Sequence, residues 1–131
     1  IVAGKGMDKI QNASFMTPDI KLMSNVPDLR PLFEKADAMI LPIFDGSGMK
    51  VKTCESLMYG KNIFATDEAL EGYEADFDKV GGRCNSADEF IRCINDMIAN
   101  PRPRFNRYSR EVFLEKYSEE SVTDRYRSII E

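Results

Sequence analysis

The chain has 131 residues, of which 43% are apolar and 31% charged, with a formal net charge of −4. That length supports one domain with a real core, burying roughly two thirds of the unfolded surface. The composition excludes a disordered tail and a membrane span, the acidic balance gives nucleic acid no general attraction, and the lack of histidine removes the usual zinc sets and the Ser-His and Cys-His nucleophile pairs.

The chain opens on an apolar, strand-like run at Ile1 to Ala3 with neither an initiating methionine nor a signal peptide before it, so it reads as truncated. Further strand-like runs follow at Ile20 to Met23, Ala38 to Phe44, Asn62 to Thr66 and, more weakly, Lys79 to Cys84. Helical periods lie between them. Leu29, Leu32, Phe33 and Ala36 recur on one face behind a capping Asp28. Val51, Cys54 and Met58 mark a second helix stopped by Gly60. Ser86-Ala87-Asp88-Glu89 is a capping box before Phe90, Ile91, Ile94 and Ile98. From Arg104 onward the pattern is helical only, with stripes at Phe105, Tyr108, Val112 and Phe113, then at Val122, Tyr126, Ile129 and Ile130 behind Ser118.

Uniformly apolar strands alternating with helices predict an α/β, Rossmann-like parallel sheet with helices on both faces, followed by C-terminal helices. No repeat or linker divides the chain. Cys54, Cys84 and Cys93 lack C-x-x-C spacing and read as reduced, mostly buried thiols.

In such folds ligands collect where strands lead into helix N-termini. The informative loop is Asp45-Gly46-Ser47-Gly48-Met49-Lys50-Val51-Lys52, entering a helix that carries Glu55. Glycines allow close backbone approach, first-turn amides point outward and the helix dipole favours an anion. Lys50 and Lys52 add positive charge, and Glu55 offers an acceptor suited to ribose hydroxyls. Physics alone reads an anion site here, and a structural turn with solvated lysines fits the same spacing. The run Asp67, Glu68, Glu71, Glu74, Asp76 and Asp78 matches no calcium-loop pattern and reads as a solvated face, with Glu71-Gly72 placed to line the cleft. Arg102, Arg104, Arg107 and Arg110 read as a solvated helix face, with anionic lipid or another domain as the alternative partner. Tyr108, Tyr117 and Tyr126 read as packing residues.

The order IVAGKG at Ile1, NVPDL at Asn25 and FEKADAMILPIFDGSGMKVKTCESLMYGKNIFATDEALEGY from Phe33 resembles the second half of a group 1 (retaining) GT-B glycosyltransferase. The resemblance implies a domain that binds a nucleotide-diphosphate sugar donor, with no metal and no further cofactor, while an N-terminal domain absent from this chain binds the acceptor. It assigns the donor ribose to Glu55, and the pyrophosphate and sugar to the loop of Gly46, Ser47, Gly48 and Met49; Lys50 or Lys52 neutralises phosphate charge, and Asn25 to Leu29 falls near the base. Many members carry two glutamates separated by seven residues, and the first falls on Ser47 here. No catalytic residue is assigned. The resemblance further implies that the chain's first strand is the family's second. The sheet should then lack its central strand and leave edges open to another chain. A cytoplasmic enzyme of polysaccharide or glycoconjugate assembly, at the inner face of a membrane, completes this expectation. A non-catalytic nucleotide- or phosphate-binding regulatory domain is the alternative, motivated by Ser47, and a receiver-like domain ranks last for want of acids at the first strand end.

Overall fold

Every strand pairs in parallel, as apolar runs separated by helices require, but the strands fall into two sheets. A computed structural model describes all residues from Ile1 to Glu131, in two compact units, Ile1–Leu32 and Phe33–Glu131. No six-stranded sheet forms. The sheets run β1-β2 and β3-β4-β5.

In the first unit, β1 (Val2–Gly4) pairs with β2 (Leu22–Ser24) in the register Val2 to Leu22, Ala3 to Met23 and Gly4 to Ser24. A 3-10 turn at Met7–Ile10 lies between them, and Ser24 Oγ donates to Asp8 over 2.7 Å. No residue from Ile1 to Leu32 is buried, because a two-stranded parallel pair of this length cannot enclose a core. Asp28 accepts the Arg30 amide over 3.0 Å at the start of α1 (Arg30–Lys35), the capping role expected of it.

In the second unit, β3 (Ala38–Leu41), β4 (Asn62–Ala65) and β5 (Gly81–Arg83) form the sheet. All four residues of β4 are buried, and side chains alternate across it. Ile63 and Ala65 join one core with Leu57 of α2 (Val51–Met58) and Val112 of α6 (Arg107–Val112). Phe64 faces the opposite side, against Cys84 and Phe90 of α5 (Ala87–Ala99). Helices therefore cover both faces. The remaining elements are α3 (Asp67–Leu70), α4 (Phe77–Val80), a π-helical turn at Phe113–Tyr117 and α7 (Glu119–Ile130). No helix is long and apolar enough to cross a membrane.

Local chemistry sets the boundaries. Helix α2 ends in a Schellman motif: Gly60 (φ 60°) donates to Leu57, and Lys61 donates to Ser56. Ser86 caps α5 as expected, its Oγ accepting the Glu89 amide over 3.2 Å, but the reciprocal bond of a capping box shifts by one residue: the Glu89 carboxylate accepts the amide of Asn85 rather than that of Ser86. Ser118 likewise caps α7 through Ser121.

Several expectations need correction. Strand β3 stops at Leu41 rather than Phe44, because Pro42 has no N–H to give a ladder. The run Lys79 to Cys84 is strand only over Gly81–Arg83: Lys79 and Val80 close α4, which Asp76 caps by accepting the Asp78 amide. In α5 the sheet-facing stripe is Phe90, Cys93, Ile94 and Met97, while Ile91 and Ile98 are exposed. The apolar stripe of α7 is not packed: Tyr126, Ile129 and Ile130 are exposed, so Tyr126 is not a packing residue. Tyr108 and Tyr117 do pack, and their hydroxyls accept the amides of Asp76 and Glu74 over 2.8 and 2.6 Å. The arginine segment is not merely solvated. Arg104 reaches Asp37 over 3.1 Å, and Arg110 reaches the Met58 carbonyl over 2.5 Å. Of the thiols, only Cys84 is fully buried, and all three are free.

Two glycines test this packing. A Cβ on Gly81 would lie 2.0 Å from the backbone oxygen of Ile63, whereas one on Gly60 would lie 2.5 Å from the exposed ring of Phe105. Gly81→Ala must open the β4–β5 ladder and should cost about 3 kcal/mol. Gly60→Ala should cost roughly 1–2 kcal/mol, from its left-handed backbone and a ring that can swing aside. Thermal unfolding should place Gly81→Ala well below Gly60→Ala, and the reverse order would contradict this packing.

Candidate functional site

The loop after β3 is held open by the segment after β4. Thr66, at the end of β4, donates through Oγ1 to the Ile43 carbonyl and accepts the Ala69 amide over 3.1 Å, which joins the two strand ends and starts α3. Thr53 Oγ1 of α2 donates to the Ala69 carbonyl over 2.6 Å. Tyr73 donates its hydroxyl to the Lys50 carbonyl over 2.8 Å, at the residue preceding α2. Burial pushes the Tyr73 phenol up, so it remains a neutral donor at any ordinary pH.

Between these anchors, Phe44 to Met49 is exposed. Gly46 (φ 146°) and Gly48 (φ 68°) take backbone conformations that side-chain-bearing residues rarely adopt. The backbone amides from Gly46 to Lys50 donate to no acceptor within the chain. They stand at the amino end of α2, an eight-residue helix, where unsatisfied N–H groups and the dipole favour a negative group. Met49 packs over Gly72 (φ 80°), where an added Cβ would meet the Met49 side chain at 2.5 Å.

The face of α2 differs from the one that Val51, Cys54 and Met58 suggest. Thr53, Ser56 and Leu57 are buried, and Val51 is 69% exposed. Small hydroxyl residues can occupy the covered face because each oxygen finds a carbonyl, Thr53 as above and Ser56 on Lys52 over 2.6 Å. This rotation leaves Val51, Lys52 and Glu55 together on the open face. Glu55 is therefore presented outward in the first two turns, on the same side as Lys52, with which it pairs over 2.6 Å.

Lys50 behaves differently from a solvated lysine. Its side chain is only 13% exposed, and Nζ donates to the Gly48 carbonyl and to Glu68 Oε1, each over 2.7 Å, with Glu71 Oε2 at 3.6 Å. The hydrogen bond to Glu68 raises the Lys50 pKa; desolvation opposes it, and the charges of Glu68 and Glu71 add to it. The acidic run is thus not a bare solvated face. Glu68 and Glu71 serve Lys50, Asp67 pairs with Arg83 over 2.8 Å, and Asp76 caps α4. No group of three acidic or thiol side chains is arranged to hold a metal ion. Glu68, Thr66 and Tyr73 are members of the site region that motif spacing missed; their only sequence signal is their position just beyond an apolar strand. Beside Met49 and Gly72 opens a cavity of about 380 Å³, bordered by Lys116 and Arg125.

A family model described as glycosyl transferases group 1 matches residues 1–100. No curated protein and no solved structure matches the chain.

The raised pKa of Lys50 has a definite sign. A lysine whose pKa is higher folded than unfolded contributes stability that is fully present below the ordinary value of 10.5 and disappears as pH rises through the folded value. Lys50→Met should therefore unfold at a lower temperature than the unsubstituted chain at pH 8, with the gap closing above pH 10.5. A gap that stays constant into strong alkali would show that the ion pair contributes nothing.

Proposed function

The chain belongs to the group 1 glycosyl transferases, and on that premise we propose that it binds the nucleotide-diphosphate sugar donor, with the diphosphate on the amides of Gly46–Met49 and the ribose on Glu55. The supporting observation is the run of amides from Gly46 to Lys50 without intramolecular acceptors, exposed at the amino end of a helix whose open face also carries Glu55. Preorganised N–H groups of this kind stabilise a departing diphosphate without reorganisation when the bond to the sugar breaks, and they require no metal. In the intact enzyme the sugar passes to an acceptor held by a further domain.

Ser47 supports a second reading, in which the chain binds the nucleotide without transfer. The position where a carboxylate would meet the sugar carries a short, exposed hydroxyl. Release of free nucleoside diphosphate by the full-length protein supports transfer or hydrolysis, and tight binding without release supports the second reading.

Calorimetric titration of the chain with UDP, GDP and ADP tests the common part of both readings. Removing a carboxylate that accepts ribose hydroxyl bonds costs about 1.5–3 kcal/mol, or roughly tenfold or more in affinity. Glu55→Ala should weaken whichever nucleotide binds by that factor while the fold persists, since Glu55 lies on an open helix face. Equal affinity in the variant would remove Glu55 from the site.

A further inference from the structure

We propose that Glu68 is a positioning residue of the donor loop, acting through Lys50, which braces the loop rather than meeting phosphate. The proposal rests on the donor-loop reading above and adds to it a residue that the loop motif does not contain.

The geometry commits two of the lysine's three donors within the chain. An ammonium group has three N–H donors. Here one is directed to the Gly48 carbonyl at 2.7 Å, one to Glu68 Oε1 at 2.7 Å, and Glu71 Oε2 stands at 3.6 Å. A phosphate oxygen approaching the remaining N–H would have to compete with the Glu68 and Glu71 carboxylates for the same ammonium group. Unlike an ordinary surface ion pair, whose long side chains remain mobile, this lysine is mostly covered and its ammonium group holds two short hydrogen bonds. Its stem passes beneath Gly46, where an added Cβ would come within 3.0 Å of Lys50 Cε, 3.4 Å of Nζ and 3.6 Å of Glu68 Oε1. The glycine thus makes room for the brace, and the brace ties the Gly48 carbonyl to α3. With Gly48 O held by Lys50, the neighbouring amides stay without acceptors in the chain, as the donor-loop reading needs. Glu68 is itself anchored, because it lies in α3, which Thr66 caps and Thr53 holds.

The brace and a phosphate-binding lysine predict opposite signs. If Lys50 neutralised phosphate, removing Glu68 would free it and tighten nucleotide binding. If Lys50 braces the loop, Glu68→Ala should weaken nucleoside diphosphate binding about tenfold through lost preorganisation. Glu68→Gln should recover part of that loss, since its amide oxygen still accepts. Combining Glu68→Ala with Lys50→Met should be no worse than either change alone, as expected for two residues acting through one contact. Backbone order parameters for Gly46 to Met49, from ¹⁵N relaxation of the chain without nucleotide, should fall in Glu68→Ala. Binding by Glu68→Ala as tight as or tighter than that of the unsubstituted chain, or unchanged order parameters, would overturn the brace. Failure of the unsubstituted chain to bind UDP, GDP or ADP would instead overturn the donor reading, and the relaxation measurement alone would then decide the brace.

Discussion

Burial of β4 on both faces is the constraint from which the larger unit is organised. A strand covered on both sides must be apolar along its length and must satisfy every polar group at its ends. Asn62 opens β4 at 1% exposure, donating to the carbonyls of Asp37 and Pro103 and accepting from Asn106. Asn106 also donates to the carbonyls of Lys79 and Val80 and caps α6 by accepting the Ser109 amide. One pair of side-chain amides, Asn62 buried and Asn106 half-buried, therefore connects the start of the central strand to the approach to β5 and to the first C-terminal helix. Leaving either partner unsatisfied would cost more than the bond itself contributes, which makes these residues specifiers of the fold rather than additions to it.

The opposite end of the same strand builds the candidate site. Thr66 does there what Asn62 does at the amino end, taking a carbonyl from the β3 exit and an amide from α3. Because both connections converge on one hydroxyl, the glycine loop and the acidic segment after β4 are held side by side although they are distant in sequence. The loop can then leave its amides unpaired, since its conformation is maintained by anchors on either side. Such strain and unsatisfied polarity persist only where the surrounding structure determines them.

Charge at the site is arranged in pairs rather than as a basic patch. Lys50 and Lys52 each meet a carboxylate, on Glu68 and Glu55 respectively. An anion reaching this loop therefore meets backbone dipoles before side-chain charge, and those dipoles are fixed in direction whereas an exposed lysine is not. This arrangement accords with a net acidic protein that nevertheless presents an anion-favouring helix terminus. The lysine-rich look of the motif overstates the free positive charge: Glu68 and Glu71 after β4 offset Lys50, and Glu55 in α2 itself offsets Lys52.

Alternation of short apolar runs with capped helices was enough, read along the chain, to establish the parallel α/β class, the glycine loop at a strand exit, the Gly60 stop and the helix caps at Ser86 and Ser118. These depend on backbone conformation and on neighbours within about four residues, so local sequence contains them. Tertiary structure alone decided which face of α2 is covered. Thr53 is a suitable interior residue only once the Ala69 carbonyl of another segment is there to accept its hydroxyl. It alone decided that Glu68 and Lys50, eighteen residues apart, share a bond, and that the stripe of α7 stays uncovered. Periodicity shows that a face is apolar, but what lies opposite that face is a property of the assembled chain, because burial and pairing are made between segments and not within them.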